Sequence, residues 1–227
     1  MVSIRLKGQH FCGGTILAQR WILTAGHCVN RYSANQFMVR VGEHQLSRVE
    51  NHATQDIPIK QYIIHPNYSI PIRHFNDIAL LELAEDIEFN DYAWSACLPE
   101  DSAGSYKDEE ATVIGWGILE KSGRRRGDIL QKAKVPVIDY LQCQSWYRKA
   151  QKIVFFQRGQ MCAGYEYGGK DACLGDSGGP LFMKENNKFI VIGVVSAGIG
   201  CAREFLPGLY TEVASYRSWI LQYINNI

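Results

Sequence analysis

The sequence predicts an all-β fold, sandwich or barrel, closed by one C-terminal helix. Short β-type runs recur between turn signals along the whole of its 227 residues. One apolar stripe at helical spacing occupies the end of the chain. No repeat or low-complexity segment divides it, and all-β barrel proteins of this length often form one domain, here 1–227.

In chain order the β-type runs are Thr15 to Leu17, Trp21 to Ala25, Phe37 to Val41, Ile57 to Ile64, Ile78 to Leu83, Thr112 to Ile114, Lys134 to Val137, Leu181 to Met183, Ile190 to Ser196 and Gly208 to Val213. Each is bounded by residues that favour turns. The polar stretch from Leu98 to Ser105, with its Pro and Gly, reads as a connection between an N-terminal half of about 1–97 and a C-terminal half of about 106–227. Tyr216, Trp219, Ile220, Tyr223, Ile224 and Ile227 recur at three- and four-residue intervals, so they predict the terminal helix, with Ser215 as its N-cap. A shorter helix is expected around Asp139 to Tyr147.

The net charge is +1, with 24 Lys and Arg against 23 Asp and Glu, which gives no field for a nucleic acid or a membrane surface. No apolar run reaches membrane-spanning length; Phe189 to Gly200 contains glycines and reads as a buried strand. Seven cysteines without Cys-x-x-Cys or Cys/His zinc spacing suggest disulfides formed in an oxidising compartment.

Three segments carry chemistry. Ala25-Gly26-His27-Cys28 offers an imidazole, Asn76-Asp77-Ile78 a carboxylate, and Gly175-Asp176-Ser177-Gly178-Gly179-Pro180 a hydroxyl on a glycine-rich loop. A serine is a weak nucleophile at neutral pH, so it needs a base, and the base needs a third group to fix its tautomer. The chain order His27, Asp77, Ser177 discriminates among folds that share this geometry. Gly175-x-Ser177-x-Gly179 fits the elbow of esterases and lipases, but all six histidines precede Ser177. No Asp or Glu lies upstream of His27, which removes the Asp, His, Ser order as well.

With these segments, His10-Phe11-Cys12-Gly13-Gly14, Trp21 to Cys28, Asp77 to Leu83, Gly115-Trp116-Gly117, Met161-Cys162-Ala163-Gly164 and Pro207 to Thr211, the chain resembles the trypsin-like serine proteases of the chymotrypsin fold. The resemblance implies two packed six-stranded antiparallel β-barrels and secreted, extracellular hydrolysis of polypeptides. It implies that His27, Asp77 and Ser177 are catalytic, that the amides of Gly175 and Ser177 form the oxyanion hole, and that Asp171 forms the base of a primary pocket for Arg or Lys. Gly198 and Gly208 would be its small walls, and Ser196 and Gly198 would pair with substrate backbone. Ala197 stands where a tryptophan is usual, and Leu174 where glutamine is common. Protein protease inhibitors would be further partners. The rival reading is a non-catalytic homologue serving as a binding scaffold or cofactor.

The resemblance also implies the disulfides Cys12 with Cys28, Cys143 with Cys162, and Cys173 with Cys201. Cys97 is left over, at a position that bonds to an upstream light chain or pro-segment in relatives. Mature members begin with a sequence like Ile-Val-Gly-Gly, whose ammonium pairs with the aspartate matching Asp176, whereas this chain opens at Met1-Val2-Ser3. The expectation is therefore a truncated, zymogen-like form in which His10, with Ser3, contacts Asp176. Glu43, Glu50 and Asp56 flank a loop resembling the calcium loop of some relatives, with acids that match only in part; no metal or cofactor is assigned. Arg124-Arg125-Arg126 suits an exposed loop, and Asn67-Tyr68-Ser69 is a glycosylation sequon.

Overall fold

The computed structural model describes residues 1–48, 50, 54–100, 106–119 and 127–224. Two closed six-stranded antiparallel barrels make up the molecule. The first contains β1 (Val2–Leu6), β2 (Gln9–Ala18), β3 (Trp21–Thr24), β4 (Phe37–Val41), β5 (Gln55–Ile64) and β6 (Ala79–Leu83), in the order β1-β2-β3-β6-β5-β4. The second contains β7 (Glu110–Gly115), β8 (Gln131–Ile138), β9 (Gln160–Ala163), β10 (Pro180–Glu185), β11 (Lys188–Ala197) and β12 (Gly208–Glu212), in the order β10-β11-β12-β9-β8-β7.

Closure removes the sheet edges, and alternation fills each interior. In β4, Phe37, Val39 and Val41 point inward between Met38 and Arg40. They join Ile4, Ile22, Leu23, Leu80, Leu81 and Leu83 in the first core, where burying each such side chain is worth about 1.5–3 kcal/mol. Val113, Val135, Leu181, Ile192 and Tyr210 fill the second. The first cluster also takes Val191 and Val194 of β11, so the halves share apolar surface.

Register fixes the positions of the chemistry-bearing loops. In the antiparallel β3–β6 pair Thr24 faces Ala79, so the chain leaving β3 toward His27 runs beside the chain entering β6 from Asp77. In the second barrel Pro180 opens β10 opposite Val194, and Ala197 at the end of β11 faces Leu209 at the start of β12. Ser177, Ser196, Gly198 and Gly208 therefore gather at one end of that barrel.

The helices behave partly as expected. α1 (Gly26–Val29) carries His27. α2 (Tyr140–Lys149) has Asp139 as its N-cap, accepting from the Leu141 amide. α3 (Arg217–Ile224) follows a 3-10 turn over Val213–Tyr216. Ser215 lies within that turn, where its hydroxyl donates to Glu212 at 2.5 Å, and α3 starts two residues later at Arg217, so it is not the helix cap. Tyr216 and Ile220 enter the first core, and Tyr223 packs on Trp21 at 6.4 Å between ring centroids. The chain thus leaves the second barrel and straps itself to the first. Ile227 lies outside the described residues, as do 101–105 of the connection and Arg124-Arg125-Arg126.

The three pairings Cys12–Cys28, Cys143–Cys162 and Cys173–Cys201 are formed, and Cys97 is free and exposed. Cys12–Cys28 pins α1 to β2 across 16 residues of sequence, a closure worth about 3 kcal/mol in the chain-entropy view. The acids near the 43–56 loop are already engaged. Arg40 chelates Asp56 with Nε at 2.6 Å and Nη2 at 2.5 Å, Glu43 faces Arg40 and Arg5, and Glu50 accepts the His44 amide. Guanidinium groups supply the positive charge that a hard cation would otherwise bring.

Candidate active site

Asp77 is fully buried, between β6 and the end of the second barrel. Its Oδ1 accepts the His27 amide at 2.8 Å and its Oδ2 accepts His27 Nδ1–H at 2.7 Å. Ser196 Oγ donates to the same Oδ2 at 2.5 Å, and Thr211 Oγ1 donates to the Asp77 carbonyl at 2.7 Å. Burial alone would push this carboxyl up, but the bonds and charge of His27, with His74 and Ser196, hold it well below the usual carboxylate range. A carboxylate kept ionised fixes the proton of His27 on Nδ1, which leaves Nε2 as a base pointing away.

His27 and Ser177 line one cavity of about 340 Å³, together with Asp171, Leu174, Ser196, Ala197, Gly198 and Gly208. The serine loop is held from both barrels: Gly13 N–H donates to the Ser177 carbonyl at 2.8 Å, and Gly178 N–H to Val195 O at 2.8 Å. Gly178 sits at φ 77, and a Cβ there would lie 2.2 Å from Thr24 Oγ1, so only glycine fits the loop this close to the first barrel. The amides of Asp176, Gly178 and Gly179 all have backbone acceptors. Among the described residues none accepts from the amides of Gly175 and Ser177. Two unclaimed donors on one tight loop suit an oxygen that gains negative charge.

Two sequence expectations need adjustment. His10 uses Nδ1 with Ser3 Oγ at 2.8 Å and Nε2 with the Gly175 carbonyl at 2.9 Å. Its hydrogen bond therefore goes to the peptide before Asp176 rather than to the Asp176 carboxylate, which takes the amides of Gly117 at 2.7 Å and Cys173 at 2.8 Å. The physical reason is room: Gly115 and Gly117 leave space that a Cβ would close, at 1.9 Å and 2.4 Å from the Asp176 oxygens. Burial pushes the Asp176 carboxyl up, opposed by those two amide bonds. Ser196, expected to serve substrate through its backbone, also commits its hydroxyl to Asp77.

Asp171 lines the same cavity. Its oxygens accept from the amides of Ala172 at 2.8 Å and Ala202 at 2.9 Å, and Cys173–Cys201 braces the surrounding loops. A Cβ on Gly208 would stand 2.7 Å from Asp171 Oδ1, so the absent side chain is what opens the way to the carboxylate. Burial pushes this carboxyl up to about 7, against the two amide bonds, with a small contribution from Asp176. The free pocket is consequently part protonated at neutral pH, while a cationic ligand favours the ionised form. Affinity for a benzamidinium cation should therefore rise with pH, falling about tenfold for each unit below 7. Calorimetry on His27→Ala protein, which removes the neighbouring imidazole, should show that slope together with proton release on binding. A flat profile from pH 5 to 8 would place Asp171 lower.

Sequence reasoning missed three contributors. Thr211 orients the Asp77 peptide, Gly13 holds the serine carbonyl, and His74 faces the cavity with Nδ1 3.7 Å from Asp77 Oδ2. The only sequence signal for His74 was its offset of three residues from Asp77.

Comparison with known proteins agrees with this geometry. A family model described as Trypsin matches residues 1–220. The chain is similar to "Serine proteinase stubble" of Drosophila melanogaster, 37% identical over 217 residues, which is 95% of this chain and 27% of that protein. The chain thus spans about a quarter of the length of that relative.

Proposed function

This chain belongs to the trypsin family of serine proteases, and on that premise we propose that it is a secreted endopeptidase cleaving polypeptides after Arg or Lys. The observation that carries the reading is the pair of unclaimed amides at Gly175 and Ser177, set in a cleft that also holds His27 locked to a buried carboxylate.

Ser177 Oγ attacks the peptide carbonyl as His27 Nε2 takes its proton. The oxyanion settles between the amides of Gly175 and Ser177, and Asp77 stabilises the imidazolium. His27 then protonates the departing amine, leaving an acyl-serine. Water enters, gives its proton to His27 and attacks the ester; collapse frees the acid and returns the proton to Ser177. Asp171, reached between Gly198 and Gly208, receives the cationic side chain preceding the cut. Ala197 offers little apolar surface beyond that pocket, so selectivity there rests on other groups.

Precursor activation belongs to the same reading: buried Asp176, held by two amides, is suited to gain a cationic partner. So do an upstream segment bonded to exposed Cys97, inhibition by protein protease inhibitors, and glycosylation at exposed Asn67.

The test is Asp171→Ser in the full-length, activated protein. Loss of a desolvated charge partner costs about 2–5 kcal/mol, so kcat/KM on an Arg-amide should fall roughly thirty- to several-thousand-fold. Hydrolysis of an apolar ester should fall far less. Equal loss on both substrates would count against the pocket, and no hydrolysis by the parent protein would leave the scaffold reading in place.

A further inference from the structure

The outward face of the second barrel carries a cavity of about 480 Å³ that the catalytic cleft does not use. Strand pairing assembles it. Lys134 of β8 faces Thr112 of β7, Thr112 faces Phe182 of β10, and Lys184 of β10 faces Phe189 of β11. Val135, Val113 and Leu181, each next in sequence to a member of this row, point into the second core, so strand alternation turns the row outward. Lys132 shares that face, two residues from Lys134 on β8. Lys170, in the loop before Asp171, completes the rim.

Phe182 and Phe189 make the floor, with ring centroids 5.5 Å apart and planes at 76°. Phe189 remains 51% exposed, although Lys184 Nζ stands 5.4 Å from its ring centroid. Apolar rings at the centre of a charged rim have the anatomy of a protein interface. Four ammonium groups meet around this one cavity, on a chain whose net charge is only +1. Lys134 is neutralised by Glu110 at 2.6 Å, whereas Lys132, Lys170 and Lys184 enter no ion pair among the described residues. Nor does any described Asp or Glu line the cavity. Like charges gathered on one face repel, so an anionic occupant relieves that repulsion as it binds.

We propose that this face is a docking site for an acidic polypeptide segment that carries an aromatic or large aliphatic residue. Its carboxylates pair with Lys132, Lys170 and Lys184, and its apolar side chain enters the notch between Phe182 and Phe189. Floor and rim together select the occupant. A sulfated polysaccharide brings charge without an apolar anchor, and rings set edge to face leave a notch rather than the parallel platform on which nucleic-acid bases stack. The docking site is independent of the chemistry read from the cleft, whose lining includes none of these residues.

Fluorescence anisotropy on the full-length protein is the test, with a short fluorescein-labelled peptide rich in Asp and Glu around one Phe. Binding should weaken as salt rises, because screening acts on exposed charges. Lys170→Glu and Lys184→Glu should each raise Kd about tenfold, whereas Lys152→Glu, the same charge change at an exposed lysine outside the cavity, should leave it within about twofold. Phe189→Ala should weaken binding by a similar factor without altering the salt dependence. Replacing the Phe of the peptide by Gly should do the same with the protein unchanged. Saturating benzamidine should leave the peptide bound. No binding at low salt, equal weakening by all three lysine reversals, or displacement by benzamidine would overturn the site. Heparin or a single-stranded oligonucleotide that binds more tightly than the peptide and ignores Phe189→Ala would give the face to a polyanion and overturn the polypeptide assignment.

Discussion

Ser177→Ala is expected to lower kcat on an Arg-amide by on the order of 10⁵- to 10⁶-fold, the loss typical of removing the nucleophile from a triad that works as a unit. KM should change little, because Asp171 and the cleft walls still receive the substrate. Stability should change little as well. The hydroxyl is half-buried and no described residue bonds to it, so its deletion strands no partner. Pre-steady-state kinetics provide the check: the acyl burst of the parent should vanish in the variant, with thermal unfolding unmoved by more than a few degrees. A residual rate within a hundredfold of the parent would remove Ser177 from the chemistry.

Asp77→Asn should cost about 10⁴-fold in kcat, the figure established for this substitution in the family's triad. Asp77 Oδ2 is an acceptor for His27 Nδ1–H and Ser196 Oγ–H, and Oδ1 for the His27 amide. An amide in that place presents two hydrogens to a site built from donors. His27 then turns to the tautomer that accepts at Nδ1 and carries its proton on Nε2, where it cannot receive one from Ser177. The ring can stay in place while its chemistry is inverted. Rates at neutral pH together with a structure of the variant distinguish this from misfolding. A loss below tenfold would show that another group, with His74 the nearest, orients the imidazole.

The barrels were legible because their strands carry β-type runs between turn residues. All ten runs fall on or within an observed strand to within a residue at either end, with Trp21 to Ala25, Ile78 to Leu83 and Gly208 to Val213 each overrunning by one. The runs leave out β1 and β9: Gln160–Ala163 has four residues, too few for alternation to stand out, and pairing with β8 and β12 makes it a strand. The start of α3 was misread because the apolar spacing of Tyr216 continues through a 3-10 turn that sequence period cannot separate from α-helix. In the site, Asp171 and the His, Asp, Ser trio could be found because local motifs surround each. The partners of His10 and Asp176 could not, since they depend on how closely the glycines of Gly115-Trp116-Gly117 let a loop approach. His74 carried no motif, and its meaning emerges only where a left-handed turn directs it toward Asp77.

The groups around Asp77 come from two separately closed barrels. Ser196 and Thr211 reach it from the second, while His27 reaches it from the first. The carboxylate is therefore a joint between the barrels, and neither half alone holds all of its partners. A slip of an ångström along their common seam would disturb the apolar surface that the barrels share and pull His27 from its support.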